Sequence, residues 1–225
     1  MRLRPLTERC PKPLLDIGGR PVITYAMDHL LSIGVDRFIV NTHHRPDDFI
    51  QKFPDRSWRD TPIIFRNEPI LLDTAGGLKN IEDLIDEDKT ILCYNGDVIA
   101  DLPLKKLLDF HEQKNPEATL VLRSRGGPLS VNINEQDEIR DIRGELKHAG
   151  VKKCLFTGIY ALDTSILKYI EAGKSESIVS ILLRRIQSNP GSVMGLILDE
   201  GSWHDIGSTA TYETLRSRAN SQENG

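Results

Sequence analysis

Long apolar runs are missing from this chain of 225 residues. No stretch reaches the roughly 18 apolar residues that a membrane-spanning helix needs. The charges at the N-terminus are followed by no apolar segment of the kind that marks a secretory leader. An excess of one charge is missing too: 29 Lys and Arg stand against 33 Asp and Glu, a formal net charge of −4. That balance argues against a nucleic-acid-binding face built on bulk positive charge, and leaves room for a local basic pocket. Cysteine is scarce. Cys10, Cys93 and Cys154 form an odd set without metal-type spacing, which points to a reducing, cytoplasmic compartment rather than to a disulfide framework or a zinc site. Cys93 and Cys154 lie inside apolar runs, where a thiol behaves as a small buried hydrophobe. There is no internal repeat and no linker.

What is present is an alternation of apolar runs with amphipathic segments, the pattern of an α/β protein. Arg37–Asn41, Pro62–Arg66, Thr90–Asn95, Ala118–Arg123, Cys154–Ala161 and Val193–Leu198 read as strands. Helices are expected over Val22–Ser32, with Ile23, Met27, Leu30 and Leu31 on the buried face, and over Leu104–Gln113, Ser177–Ile186 and Thr209–Arg216. Pro21 and Pro103 suit first turns. The stretch 124–150 reads as a β-hairpin excursion. The expected organisation is a single domain over 1–216, followed by a frayed tail over 217–225.

Four stretches carry residues suited to phosphate chemistry. Arg2, Pro5, Leu6 and Thr7 precede Pro11-Lys12-Pro13-Leu14-Leu15. Arg is a forked donor for phosphates and Lys a compact cation, although short basic runs are common on surfaces. Asn67-Glu68-Pro69 and Leu72-Asp73-Thr74-Ala75-Gly76-Gly77 combine a carboxylate with small residues that let the backbone approach a flat ring; Asp73 also suits the N-cap of a helix over Thr74–Leu84. Asn95-Gly96-Asp97 closes an apolar strand, where open α/β sheets present ligand-binding groups, yet it is also good turn chemistry. Trp203-His204-Asp205-Ile206-Gly207 supplies a second acidic position.

Taken together and in this order, these stretches resemble the signature of sugar-1-phosphate nucleotidyltransferases. The likeness runs from Arg2 to the helix after Gly207, and Val40–His44 resembles bacterial members acting on N-acetylmuramate or mannose 1-phosphate. It implies a Rossmann-like nucleotidyltransferase fold, a mixed central sheet flanked by helices. The implied reaction joins an NTP to a sugar 1-phosphate, giving NDP-sugar and pyrophosphate, with Mg2+ held by Asp97 and Asp205. Arg2 and Lys12 are the implied catalytic cations. Glu68, Asp73, Thr74, Gly76 and Asn95 are the implied nucleotide contacts, and Thr157 and Gly158 the sugar contacts, although a strand glycine also marks a bulge. A carboxylate such as Glu68 accepts from guanine and from uracil alike, so GTP and UTP both stay open. A homo-oligomer is compatible with the reading.

One element of the signature is missing. Met1 stands where the family continues upstream into a first strand and a glycine-rich phosphate loop. The expectation is that Met1 is an internal methionine and that the start lies roughly a dozen or more residues further upstream, about a short strand plus a tight loop. That gap supports an alternative, a catalytically inactive homologue that binds NDP-sugar as a sensor or scaffold. His43 and His44 with Asp47 and Asp48 raise a hydrolytic metal site, but neighbouring residues on an extended segment point to opposite faces. A loop into a helix begun by Pro46 is the expected arrangement.

Overall fold

The computed structural model describes residues 3, 5–86 and 89–223. In chain order the first half forms α1 (Leu6–Arg9), β1 (Asp16–Ile17), β2 (Arg20–Pro21), α2 (Ile23–Leu31), β3 (Phe38–Thr42), α3 (Pro46–Lys52), β4 (Ser57–Trp58), β5 (Thr61–Asn67), α4 (Asp73–Asn80), β6 (Thr90–Tyr94) and β7 (Val98–Ala100). The second half forms α5 (Lys105–Lys114), β8 (Ala118–Arg123), β9 (Val131–Ile133), β10 (Ile139–Ile142), β11 (Lys152–Asp163), α6 (Ile178–Ser188), β12 (Val193–Ile197), β13 (Trp203–Asp205) and α7 (Thr209–Glu223). Each expected strand is present, and the mixed α/β alternation is the one read from the sequence. The chain gathers into two compact units, one of Met1–Asn67, Asn95–Asp101 and Gly201–Gly225, the other of Glu68–Tyr94 and Leu102–Glu200.

In the first unit β3 runs parallel to β5, which turns back on β4. The expected helix after the two histidines is α3, with Pro46 in its first turn and Phe49 buried. Phe49 and Phe53 meet Phe65 of β5 at ring separations of 6.1 Å, within the range of favourable aromatic packing. Helix α2 buries Ile23, Ala26, Met27 and Leu30 and packs on β7. Leu31, expected on that face, is only half-buried, because a 3.6-residue period carries position 31 past the stripe that 23, 27 and 30 define.

A second correction concerns the C-terminus. Helix α7 continues to Glu223 through most of the segment expected to fray. Tyr212 is buried with Leu3, Leu15, Ile17, Val22 and Ile206, and Leu215 and Ala219 pack on the same cluster. The Tyr212 hydroxyl donates to the Asp16 carbonyl at 3.0 Å. Tertiary docking, not the helix's own polar sequence, extends it.

The second unit is built on a sheet ordered β10-β9-β11-β8-β12, with β6 also paired to β11. All six residues of β8 are buried, as expected of a strand covered on both faces. The excursion over 124–150 is an antiparallel β9–β10 hairpin. It joins the sheet through pairing of β9 with Lys152–Cys154 at the start of β11. Ser177 caps α6 by accepting the Val179 N–H at 3.3 Å. Among the described residues β3 pairs only with β5 and β6 only with β11, so each keeps one edge without a ladder partner there. No residue of β6 is buried, unusual for so apolar a strand.

His111 on α5 is 5% exposed, its Nδ1 2.8 Å from the Thr119 hydroxyl of β8. Burial pushes its pKa below the ordinary 6.5, against a smaller opposing pull from Asp163. The folded state therefore binds this proton less readily than the unfolded chain. The stability from keeping His111 neutral is present above about pH 6.5 and is lost as the pH falls through that value toward the depressed one. Urea unfolding between pH 5 and 8 is expected to show this slope in the wild type and a flatter one in His111→Gln. Equal slopes would exclude the assignment.

Candidate active site

The first unit pairs Lys12 with Asp97 and lays the Asp205 strand against the residue that follows Asp97. Pro11 and Pro13 flank Lys12 in a single 3-10 turn, Lys12–Leu14, closed by Leu14 N–H to Pro11 O at 2.9 Å. Leu14 and Leu15 are buried and anchor the turn, leaving Lys12 outward. The apolar β6 ends at Tyr94, and the carbonyl of the next residue, Asn95, accepts the Val98 N–H at 3.1 Å to form the Asn95-Gly96-Asp97 turn. A Cβ at Gly96 would lie 3.3 Å from Pro13 Cγ, so glycine lets the two turns pack against each other. The outcome is Lys12 Nζ 3.6 Å from Asp97 Oδ2, with side chains 43% and 28% exposed. An ion pair this exposed contributes at most about 1 kcal/mol to stability; its significance is the placement of a cation beside a carboxylate.

The second acidic segment arrives on β13, antiparallel to β7 with Asp205 opposite Val98, His204 opposite Ile99 and Trp203 opposite Ala100. Just beyond the ladder the Ile206 N–H donates to the Asp97 carbonyl at 2.9 Å. Ile206 is fully buried and holds the segment down. A Cβ at Gly207 would sit 3.2 Å from Asp205 Oδ1, so glycine keeps the space beside that carboxylate open. In the Trp-His-Asp-Ile-Gly run, then, the aspartate supplies the acid, the isoleucine anchors the segment and the glycine gives clearance. Asp205, far from Asp97 in sequence, thus lies opposite Val98, the residue that follows Asp97.

This donor set fits magnesium. Among the described residues no group of three or more His, Cys, Asp or Glu side chains could hold a metal ion, so these residues form no closed protein cage of the zinc type. Magnesium takes one or two carboxylates and fills the rest of its shell with water and phosphate oxygens.

The expected nucleotide and sugar residues of the second unit are placed differently from a simple ligand-facing reading. Glu68 is 5% exposed, and its Oε2 accepts the Leu72 N–H at 3.1 Å, which closes the loop on itself. Asp73 is not a cap: α4 begins at Asp73, with no side-chain cap at Leu72. Asp73 has a left-handed φ of 57° and its carboxylate takes the next N–H, that of Thr74, at 2.6 Å. The helix stops at Asn80, short of Leu84. The Thr74 hydroxyl accepts the Ile178 N–H at 2.8 Å, supplying a partner to the first turn of α6. Gly76 is buried, and a Cβ there would run into the Lys174 carbonyl oxygen. Thr157 is 1% exposed; its hydroxyl donates to Val121 O at 2.8 Å and accepts from the Ile159 N–H at 3.2 Å. Gly158, at φ 79°, sits in the register shift between Phe156 and Tyr160. Thr157 and Gly158 therefore form a β-bulge, which bends the strand. Asn95 is exposed in the first unit. Arg2 lies outside the described residues.

Sequence reading missed Asp101 and Gly201, which tie β7 to β13. The signal was there: an acidic residue four places after Asp97, and a glycine breaking the Asp-Glu-Gly-Ser turn before Trp203.

The chain belongs to the nucleotidyl transferase family, whose model matches residues 1–222. It is 31% identical over 223 residues to a mannose-1-phosphate guanyltransferase of Aspergillus fumigatus, covering 95% of this chain and 59% of that protein. It is 27% identical over 214 residues to the mannose-1-phosphate guanylyltransferase of Mycobacterium tuberculosis, covering 94% and 59%. The chain thus spans about three fifths of the length of these curated relatives. Among solved structures it resembles HddC from Yersinia pseudotuberculosis complexed with GMP-PN, with a TM-score of 0.77, 22% identity and coverage of 96% of this chain and 93% of that one. It likewise resembles the inositol-1-phosphate CTP transferase from T. maritima, with a TM-score of 0.77, 18% identity and coverage of 97% and 91%. These two likenesses establish the nucleotidyltransferase fold. Among the described residues no helix is long and apolar enough to cross a membrane.

Proposed function

We propose that this chain transfers a nucleotidyl group from GTP to a sugar 1-phosphate, with mannose 1-phosphate the first acceptor to test. The relatives named as mannose-1-phosphate guanylyltransferases support the choice of GTP over UTP. The single observation that carries the reading is the ladder bringing Asp205 beside the Asp97 turn, with Lys12 3.6 Å from Asp97. In the reaction a phosphate oxygen of the sugar 1-phosphate attacks the α-phosphorus of the triphosphate. One P–O bond forms, the bond to the β-phosphate breaks, and pyrophosphate leaves with that electron pair. No protein nucleophile is needed, so catalysis is positioning and charge stabilisation.

Asp97 and Asp205 would hold Mg2+, which when bound supplies charge neutralisation and alignment of phosphate oxygens. Lys12 presents its ammonium to the transferring phosphate, and Arg2 is assigned to the triphosphate. Asn95 shapes the turn that carries Asp97. Glu68, Asp73, Thr74 and Gly76 hold the loop assigned to the base, and Thr157 and Gly158 shape the strand assigned to the sugar.

The test is pyrophosphate release from GTP, UTP, CTP, ATP and dTTP, each paired with mannose, glucose and N-acetylmuramate 1-phosphates in the presence of Mg2+. GTP with mannose 1-phosphate is expected to give the highest kcat/KM. Binding of GDP-mannose without turnover of any pair would replace the enzyme reading with the sensor one.

A further inference from the structure

The β7–β13 ribbon is only three residue pairs long. A ladder so short has little to hold its register. One end carries the two acidic positions. The other end is fastened by Asp101, a residue with no part in the reaction as described. The Asp101 N–H donates to Ser202 O at 3.2 Å, and the Ser202 N–H donates in return to the Asp101 side-chain Oδ1. The carboxylate thus stands where the next strand carbonyl would complete a reciprocal pair. Gly201 makes this arrangement possible. It has φ +67°, and a Cβ on it would lie 2.5 Å from Asp101 Oδ1 and 2.6 Å from Asp101 O.

We propose that Asp101 is a positioning residue that sets the register of this ribbon, and through it the separation of the two carboxylates that hold the divalent cation. The inference rests on the cation reading of Asp97 and Asp205 given above. A one-residue slip of β13 would move Asp205 by about 3.3 Å along the strand and turn its side chain to the opposite face. Ile206 N–H to Asp97 O fastens the near end, and the Asp101–Ser202 pair fastens the far end. With both fastened, slippage is blocked.

Mn2+ serves as the probe, its binding to the full chain measured by electron paramagnetic resonance and read beside the thermal midpoint. Asp101→Ala is expected to weaken Mn2+ binding by about 10-fold, in the range seen when an outer partner of a metal site is lost, with a midpoint close to wild type. Asp101→Asn, whose side-chain oxygen still accepts the Ser202 N–H, is expected to restore most of that loss. If Asp101→Asn binds as poorly as Asp101→Ala, the carboxylate's charge is the cause and positioning is overturned. Wild-type affinity in a folded Asp101→Ala overturns it as well. Gly201→Ala, which displaces the carboxylate without removing it, gives an independent arm: a matching drop supports the clamp and an unchanged affinity refutes it. A wild-type chain that fails to bind Mn2+ overturns the cation reading itself. That outcome is separate from the others, because the remaining arms compare variants against a wild type that binds.

Discussion

Asp97→Asn and Asp205→Asn are each expected to lower nucleotidyl transfer by at least about 10²–10³-fold, the scale on which loss of one group that stabilises transition-state charge is felt. Asparagine keeps the shape of aspartate and removes its charge, so the backbone that carries both residues has no reason to move. The ladder is held by main-chain bonds and the buried Ile206, neither of which uses the carboxylates. The Lys12 pair is lost in Asp97→Asn, but both partners are only half-buried, and such pairs contribute little to stability. Thermal midpoints near wild type are therefore expected alongside the loss of turnover, and the Mg2+ concentration needed for half-maximal rate should rise. Asp47→Asn, on the exposed first turn of α3, is the matched control and should change neither quantity. Full activity in both site variants would remove the cation centre from consideration.

The largest expected effect on stability is at Gly76. In an open helix, glycine to alanine would stabilise by about 1 kcal/mol. Here the sign reverses. The new Cβ would collide with the Lys174 carbonyl and lie 2.9 Å from Leu72 Cβ. The Lys174 carbonyl belongs to a backbone held in place, since the Ala75 N–H donates to Glu176 O at 2.9 Å and the Glu176 N–H to Leu72 O at 2.9 Å. Backbone cannot swing aside as the end of a side chain can. Overpacking of this kind costs roughly 1–3 kcal/mol, so Gly76→Ala should lower the thermal midpoint by about 4–8 °C at a cost near 2 kcal/mol for a chain of this size. Calorimetry decides it. A midpoint at or above wild type would mean that the segment around Lys174 yields freely.

The local build of the two acidic segments was legible because their motifs are short: a strand running into Gly-Asp, and Trp-His-Asp-Ile-Gly, each explained by the one or two residues beside it. The backbone partners of Thr74, Thr157 and Glu68 were not. The Thr74 partner is the Ile178 amide and the Thr157 partner is the Val121 carbonyl. No pattern within a window of sequence reveals which remote backbone group a hydroxyl will meet. For Glu68 the sequence offers a carboxylate for a base edge, and nothing in it shows the loop folding back to give that carboxylate the Leu72 N–H as well. The strands read as apolar runs match to within a residue or two because such runs bounded by turns are strong signals, whereas the short β1, β2, β4, β7 and β13 carry no such run. The end of α7 was misjudged for the opposite reason. Its polar residues carry little helical signal, and the contacts of Tyr212, Leu215 and Ala219 that sustain it come from the other end of the chain. The Asp101–Ser202 clamp joins both lessons: a glycine marked the spot, but the partner lay across the ribbon.

Pairing β7 with β13 also sets an order of events. A ribosome delivers Asp97 well before Asp205. Until the second arrives, the earlier acid has its lysine neighbour, but β7 has no strand across from it. The ribbon on which the proposed cation centre rests is thus closed in one late step, when its second strand zips into place.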